Sequence, residues 1–262
     1  MIQDYEGFKD AILKLTGIDL HSYKERQMKR RIDSLIKKNQ YDSYQTYVEG
    51  LKIDSKLYKE FINYLTINVS EFFRNPSQWE VLEKDILPSL ASRSQNLKIW
   101  SAACSTGDEP YSLVMLLSKF FPLSQIKVLA TDIDEKILAR AQIGVYNEKS
   151  IASVPKEFKE KYFERLGDSY RVKDEIKNCV EFKSHDLLKD IYPTQCDLII
   201  CRNVLIYFTE EAKSEIYKKF NHSLKEGGIL FVGSTEQIIL AHRYGFSSKK
   251  TFFYQKTTND IT

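Results

Sequence analysis

At 262 residues, 42% apolar and with a formal net charge of +3, the chain can bury a full core as one large domain or two smaller ones, and its charge alone gives no argument for nucleic acid. Met1-Ile2-Gln3-Asp4-Tyr5-Glu6 lacks a basic leader with an apolar segment, and no stretch approaches the ~20 apolar residues of a membrane span, so a soluble cytoplasmic protein without membrane insertion is expected. The four cysteines, Cys104, Cys179, Cys196 and Cys201, form no Cys-x-x-Cys pair and meet no paired His spacing, which leaves reduced thiols and no metal site.

Residues 1–70 read as an all-helical N-terminal domain. Phe8, Ile12 and Leu15 recur at spacings of four and three, one face of a helix that Gly17 ends. A second helix is expected over 21–40, burying Tyr23, Met28, Ile32, Leu35 and Ile36. Two more follow over 43–51 and 55–67, the last turning Leu57, Phe61, Tyr64 and Leu65 inward. The second helix is strongly basic, with Lys24, Arg26, Lys29, Arg30, Arg31, Lys37 and Lys38 against Glu25 and Asp33. This is either a solvated face or a docking surface for something acidic, centred on Lys29, Arg30 and Arg31.

Residues 71–90 form a linker and a helix expected over 76–89, where Pro76 suits a first turn because its missing N–H costs nothing there. Phe72 and Phe73 either dock the linker on a core beside a solvated Arg74, or pin it across a cleft so that Asn68, Ser70 and Arg74 face a ligand.

The stretch 97–203 organises the rest, a domain spanning 91–262. It runs strand, small-residue loop, helix (111–120), strand (126–131), acidic tip and helix (135–142), the order of a nucleotide-type site in an open α/β sheet. The alternation breaks after Asn147: a helix over 155–163, a hairpin around Gly167-Asp168 and a further strand within 173–179 make a small antiparallel β insertion at about 163–180. Strands at 180–186 and 197–201 return to the sheet, the latter apolar after Asp197 as a strand buried on both faces should be. Thr209 caps a helix to about 224, Gly227-Gly228 stops it, and strands at 229–232 and 251–255 complete the fold. The fold class is α/β, Rossmann-like, behind an all-α domain.

The first loop lacks the glycines of a dinucleotide fingerprint and the Gly-Lys-Ser/Thr of a phosphate loop, yet Ser101, Ala102, Ala103, Ser105 and Gly107 let a ligand sit against backbone. That suggests a nucleoside without phosphate. Asp132, at the carboxyl end of the second strand, can accept from both ribose hydroxyls, and Asp186 with Leu187 can meet adenine. The combination points to S-adenosylmethionine. Cys201 reads as a small apolar residue at a strand end rather than a nucleophile.

Asn68-Val69-Ser70-Glu71-Phe72-Phe73-Arg74, Gly107-Asp108-Glu109-Pro110-Tyr111-Ser112, Ala130-Thr131-Asp132-Ile133-Asp134 and Cys201-Arg202-Asn203-Val204-Leu205-Ile206-Tyr207-Phe208 together resemble the CheR family of chemoreceptor glutamate methyltransferases. The chain departs from the family pattern at Ser70, which replaces Thr and keeps a hydroxyl, and at Asp108, where Glu is common. The resemblance implies a Rossmann-like S-adenosylmethionine-dependent methyltransferase domain that methylates glutamates on the cytoplasmic helices of methyl-accepting chemotaxis receptors, releasing S-adenosylhomocysteine. It implies cofactor contacts from Asn68, Ser70, Arg74, Glu109, Asp132, Asp186, Leu187 and, mainly through backbone, Cys201, Arg202 and Asn203. Arg74 and Tyr207 are the expected catalytic residues: Arg74 to hold the methionine carboxylate, in preference to orienting the incoming glutamate, and Tyr207 either to line the methyl-transfer channel or simply to pack. The basic helix would then meet the acidic receptor helix, the enzyme acting as a monomer with no nucleic-acid partner. Two rival readings are an RNA methyltransferase using the basic helix on phosphates and a non-catalytic binding module.

Overall fold

The structure, a computed structural model, describes residues 4–66 and 70–257. The chain divides into two compact units, Met1–Ile67 with Leu205–Glu215, and Asn68–Val204 with Ile216–Thr262. Among the described residues no helix is long and apolar enough to cross a membrane.

In the first unit, α1 (Tyr5–Thr16) starts where the Asp4 carboxylate accepts the Gly7 N–H at 2.8 Å, and it buries Phe8 and Ile12. Helix α2 (Glu25–Lys38) buries Met28, Ile32, Leu35 and Ile36 and leaves its basic side outward. It starts later than the expected 21, because Tyr23 is extended rather than helical. Tyr23 bridges Phe208, with the Lys24 N–H donating to the Tyr207 carbonyl at 2.8 Å and the Thr209 N–H to the Ser22 carbonyl at 2.9 Å. The two rings lie 4.8 Å apart. Thus 205–215 belongs with the helical unit although it lies far along the chain. Ser43 and Asp54 cap α3 (Tyr44–Ile53) and α4 (Ser55–Leu65), and Leu57, Phe61 and Leu65 turn inward.

The second unit opens with α5 (Pro76–Val81), a π-helical turn at Leu82–Ile86, and α6 (Leu87–Ala91). The single helix expected over 76–89 is thus interrupted. Pro88 has no N–H to donate, and the Leu87 N–H reaches back five residues to the Leu82 carbonyl. Then come β1 (Ile99–Ala102), α7 (Asp108–Leu117), β2 (Val128–Asp132), α8 (Glu135–Ile143) and β3 (Val145–Asn147). Helix α9 (Lys156–Tyr162) leads into the hairpin β4 (Phe163–Leu166) and β5 (Ser169–Val172).

The small sheet has the order β3-β5-β4, so its third strand lies upstream of the hairpin and the insertion begins well before 163. The strand expected within 173–179 is instead a single turn, α10 (Asp174–Lys177), with two acidic residues at its start.

The main sheet adds β6 (Val180–Ser184), β7 (Cys196–Cys201), helix α11 (Glu210–Ser223), β8 (Leu224–Val232), β9 (Phe246–Lys250) and β10 (Phe253–Lys256). Its order is β6-β2-β1-β7-β8-β10-β9, parallel through β8 and antiparallel at β10 and β9. Gly227 and Gly228 do not stop a helix, which ends at Ser223; they lie inside β8 where its register against β7 slips. Strand β9 escapes a sequence reading because only Phe246 is buried and Ser247-Ser248-Lys249-Lys250 shows no alternation, as suits a charged outer edge. β1 and β7 are buried along their whole length. The chain leaves β1 toward β2 and β6 and then returns to β7 on the other side, which opens a crevice at the carboxyl ends of β1 and β7.

Candidate active site

The tips of β2, β1 and β7 stand abreast, with Ala102 level with Thr131 on one side and Cys201 on the other. The loop after β1 turns sharply, with left-handed backbone at Ala103 (φ 62°), Ser105 (φ 49°) and Gly107 (φ 88°). Non-glycine residues in that region cost ~1–3 kcal/mol each, so neighbouring contacts must hold them. Two contacts come from β2: the Cys104 N–H donates to the Thr131 carbonyl and the Ser105 N–H to Asp132 Oδ2, both at 2.8 Å. A third comes from the insertion, where the Tyr146 hydroxyl donates to the Thr106 carbonyl at 2.6 Å. Gly107 must be glycine for space as well as for φ, since a Cβ would sit 2.9 Å from the Ala141 Cβ.

Asp132 is 7% exposed. Burial pushes its carboxyl up from the ordinary value, against the backbone N–H groups that stabilise its charge. Oδ2 accepts from Ser105 and Oδ1 from the Asp134 N–H at 3.1 Å. The Ile133 N–H stabilises the charge as well, and a carboxylate has about four acceptor sites, so capacity remains for a hydroxyl of a vicinal diol. The loop that carries Asp186 and Leu187 is fixed from behind. The Tyr192 hydroxyl donates to the Leu187 carbonyl at 2.7 Å, and Lys219 Nζ donates to the Leu188 carbonyl at 2.7 Å. Asp186 Oδ1 accepts the Leu188 N–H at 2.8 Å, and Leu187 is buried. No motif marks Tyr192 or Lys219 in the sequence: Tyr192 closes its own loop, and Lys219 reaches in from the helix at Glu210–Ser223.

Glu109 and Arg202 lie together, but below the pocket surface. Glu109 Oε1 accepts from the Ser101 hydroxyl at 2.8 Å, and Oε2 lies 3.5 Å from Arg202 Nη1. Burial pushes the Glu109 carboxyl up, opposed by the guanidinium and the hydroxyl. Arg202 Nη2 donates to the Arg74 carbonyl at 2.7 Å, Gln78 Oε1 at 2.9 Å and Asn75 Oδ1 at 3.2 Å. Its guanidinium lies 4.8 Å from the Phe231 ring centre and 5.8 Å from that of Trp79. The Arg202 side chain ties the linker to the β7 tip.

Phe72 and Phe73 are buried, Phe72 against Tyr146 and Phe163 and Phe73 against Trp79 and Phe158. The linker is thus docked on the core, and it carries the half-buried Arg74 beside Arg202. The Ser70 hydroxyl bonds the buried Asp108 carboxylate, which also accepts from Thr106. Asn68 lies outside the described residues. The Cys201 thiol is fully buried and burial pushes it well up, as for an inert strand residue. Tyr207 is half-buried and its carbonyl accepts from Lys24 in the helical unit. In α2, Arg31 Nη2 donates to the Tyr64 carbonyl at 2.6 Å with its guanidinium over the Tyr64 ring, whereas Lys29 and Arg30 are exposed. One residue that the sequence reading passed over is Glu236, buried, whose carboxylate accepts the Asn203 N–H.

A nucleoside sulfonium fits these residues and a dinucleotide does not. The first turn of α7, where a pyrophosphate would seek helix N–H groups, holds Asp108 and Glu109, which repel phosphate. The carboxylates at the strand tips, Asp132 and Asp186, suit a cationic ligand, and the half-buried Arg74 has the charge and donors to pair with a carboxylate.

Comparison with known proteins agrees. The domain described as "CheR methyltransferase, SAM binding domain" matches residues 68–253, and "CheR methyltransferase, all-alpha domain" matches residues 3–66. The chemotaxis protein methyltransferases of Listeria innocua and Listeria monocytogenes are each 44% identical over 256 residues, covering 97% of this chain and 98% of theirs. That of Borreliella burgdorferi is 34% identical over 236 residues, covering 85% of this chain and 83% of its own. The cofactor of this site is S-adenosylmethionine.

Proposed function

The chain belongs to the CheR methyltransferase family, and from that premise we propose that it transfers the methyl group of S-adenosylmethionine to glutamate side chains on cytoplasmic chemoreceptor helices, giving glutamyl methyl esters and S-adenosylhomocysteine. The observation that carries this reading is the end-to-end likeness to the Listeria chemotaxis protein methyltransferases, which includes the basic helical unit.

When bound, the cofactor supplies a methyl group already activated by its sulfonium. A glutamate of ordinary pKa ~4.3 is ionised near neutral pH, so no general base is required. The tasks left to the protein are to bind, align and exclude water. Asp132 accepts from the ribose hydroxyls, and the 185–192 loop carries Asp186 and Leu187 to the base. Arg74 holds the methionine carboxylate. A bidentate arginine on the incoming glutamate would blunt the nucleophile, so that role is less favourable.

The acceptor helix docks on α2, but not on all the cations expected from sequence. Arg31 is engaged by Tyr64, so the docking face is Arg26, Lys29, Arg30 and Lys37, which line a shallow concavity with Asp33 and Ser34. Arg30→Glu should slow receptor methylation several-fold at low salt and less at high salt, because exposed charge pairs are screened over about 8 Å at physiological ionic strength. S-adenosylhomocysteine affinity should not change. Methylation rates indifferent to both salt and this substitution would remove α2 as the docking face.

The acceptor itself is tested by incubating the protein with methyl-labelled S-adenosylmethionine and either receptor-containing membranes or RNA. Base-labile label on receptor protein is expected, as for a glutamyl ester. Label on RNA would establish the rival activity, and no label despite cofactor binding would make the chain a binding module.

A further inference from the structure

The loop that follows β8 contains a buried carboxylate that neither the cofactor motifs nor the transfer step uses. Glu236 is 5% exposed. One of its oxygens, Oε2, accepts the Asn203 N–H at 2.6 Å and the Gly233 N–H at 2.9 Å, and its own N–H donates to the Gly233 carbonyl at 3.0 Å. The β7–β8 ladder ends with Cys201 level with Val232. Glu236 therefore joins the two chains just past the last ladder pair, at the carboxyl ends where the crevice lies.

Two backbone features depend on this bond. Asn203 is left-handed, with φ 61°, a conformation of some cost for any residue with a side chain. Gly233 leaves no room for anything larger: a Cβ there would lie 2.5 Å from Glu236 Oε2, 2.9 Å from Asn203 N and 3.1 Å from Asn203 Nδ2. The carboxylate, the glycine and the turned asparagine are one fitted unit. A buried carboxylate is costly to a fold unless its charge is compensated; here two peptide N–H groups from strand tips donate to it, and the Arg202 guanidinium favours its charge.

We propose that Glu236 is a positioning residue for S-adenosylmethionine: by gripping the Asn203 and Gly233 peptides it sets the turn at the β7 tip against which the cofactor sits. This rests on the family's cofactor and not on the identity of the methyl acceptor. Its failure would leave the receptor-glutamate reading standing.

Two variants and two readouts test it. Glu236→Ala removes the acceptor. Glu236→Gln drops the charge but keeps an oxygen that both N–H groups can reach. S-adenosylhomocysteine affinity is measured by calorimetry, and protection of the Asn203 amide by hydrogen exchange. Glu236→Ala should weaken binding by at least about tenfold and expose the Asn203 amide, as loss of a charge-assisted bond would. Glu236→Gln should recover most of both. Wild-type affinity in the two variants overturns the proposal, and so does a glutamine variant as weak as the alanine one, which would make charge rather than position the cause. Should the alanine variant not fold, Glu236→Asp takes its place: it keeps the charge but draws the acceptor oxygen back, so it should weaken binding and expose the Asn203 amide while Glu236→Gln keeps both, and an aspartate variant with an exposed Asn203 amide and unchanged affinity overturns the proposal.

Discussion

Arg202→Met is expected to destabilise the cofactor-binding unit by about 3–5 kcal/mol, the cost of breaking a buried ion pair from one side. The substitution keeps bulk between Trp79 and Phe231 but takes away every donor. It leaves the Arg74 carbonyl, Asn75 Oδ1 and Gln78 Oε1 without this partner, and Glu109 loses its guanidinium while still buried. Urea unfolding followed by tryptophan fluorescence reads the right unit. The protein has two tryptophans, Trp79 and Trp100, and both lie in Asn68–Val204. Adding Glu109→Gln to the methionine variant should restore part of the loss, because the orphaned charge is then gone; coupled neighbours of this kind interact by about 0.5–3 kcal/mol. A loss below about 1 kcal/mol in the single variant would show that the linker is held by its phenylalanines alone.

Sequence reading went furthest where the signal is local. The apolar run at 198–201, the small-residue loop after β1 and the aspartate at the β2 tip are each legible within a few residues, and together they point to the α/β class and its phosphate-free pocket. It was weakest where a residue's role is decided by a partner far along the chain. Arg202 bonds residues more than a hundred positions away, and Tyr23 is pulled out of a helical pattern by Phe208. The same holds for Arg31, whose charge suggests docking until Tyr64 is found beneath it. Tyr192, Lys219 and Glu236 carry no motif, since each supports a pocket loop through backbone groups rather than touching a recognisable string. The π-turn at Leu82–Ile86 hides because proline and helical periodicity conflict there, and only the backbone shows which one yields.

The largest effect on the cofactor should come from Asp132. In Asp132→Asn one of the two acceptor oxygens becomes an NH₂ group, which must face the N–H of either Ser105 or Asp134. The substitution thus weakens the diol site and unlatches the strained loop in one step. Loss of two charge-assisted bonds, at about 1.5–3 kcal/mol each, predicts S-adenosylhomocysteine binding weaker by on the order of 10²-fold or more. A cycle with a cofactor analogue lacking one ribose hydroxyl separates the two effects. Wild-type protein should bind the analogue much more weakly than the parent, whereas the asparagine variant should hardly distinguish them; equal discrimination by both would take Asp132 out of ribose recognition. Acid should act in the same direction. Because burial raises the Asp132 carboxyl, wild-type affinity should begin to fall, as pH is lowered, before an ordinary aspartate would protonate. The asparagine variant, having no proton to gain there, should lack that decline.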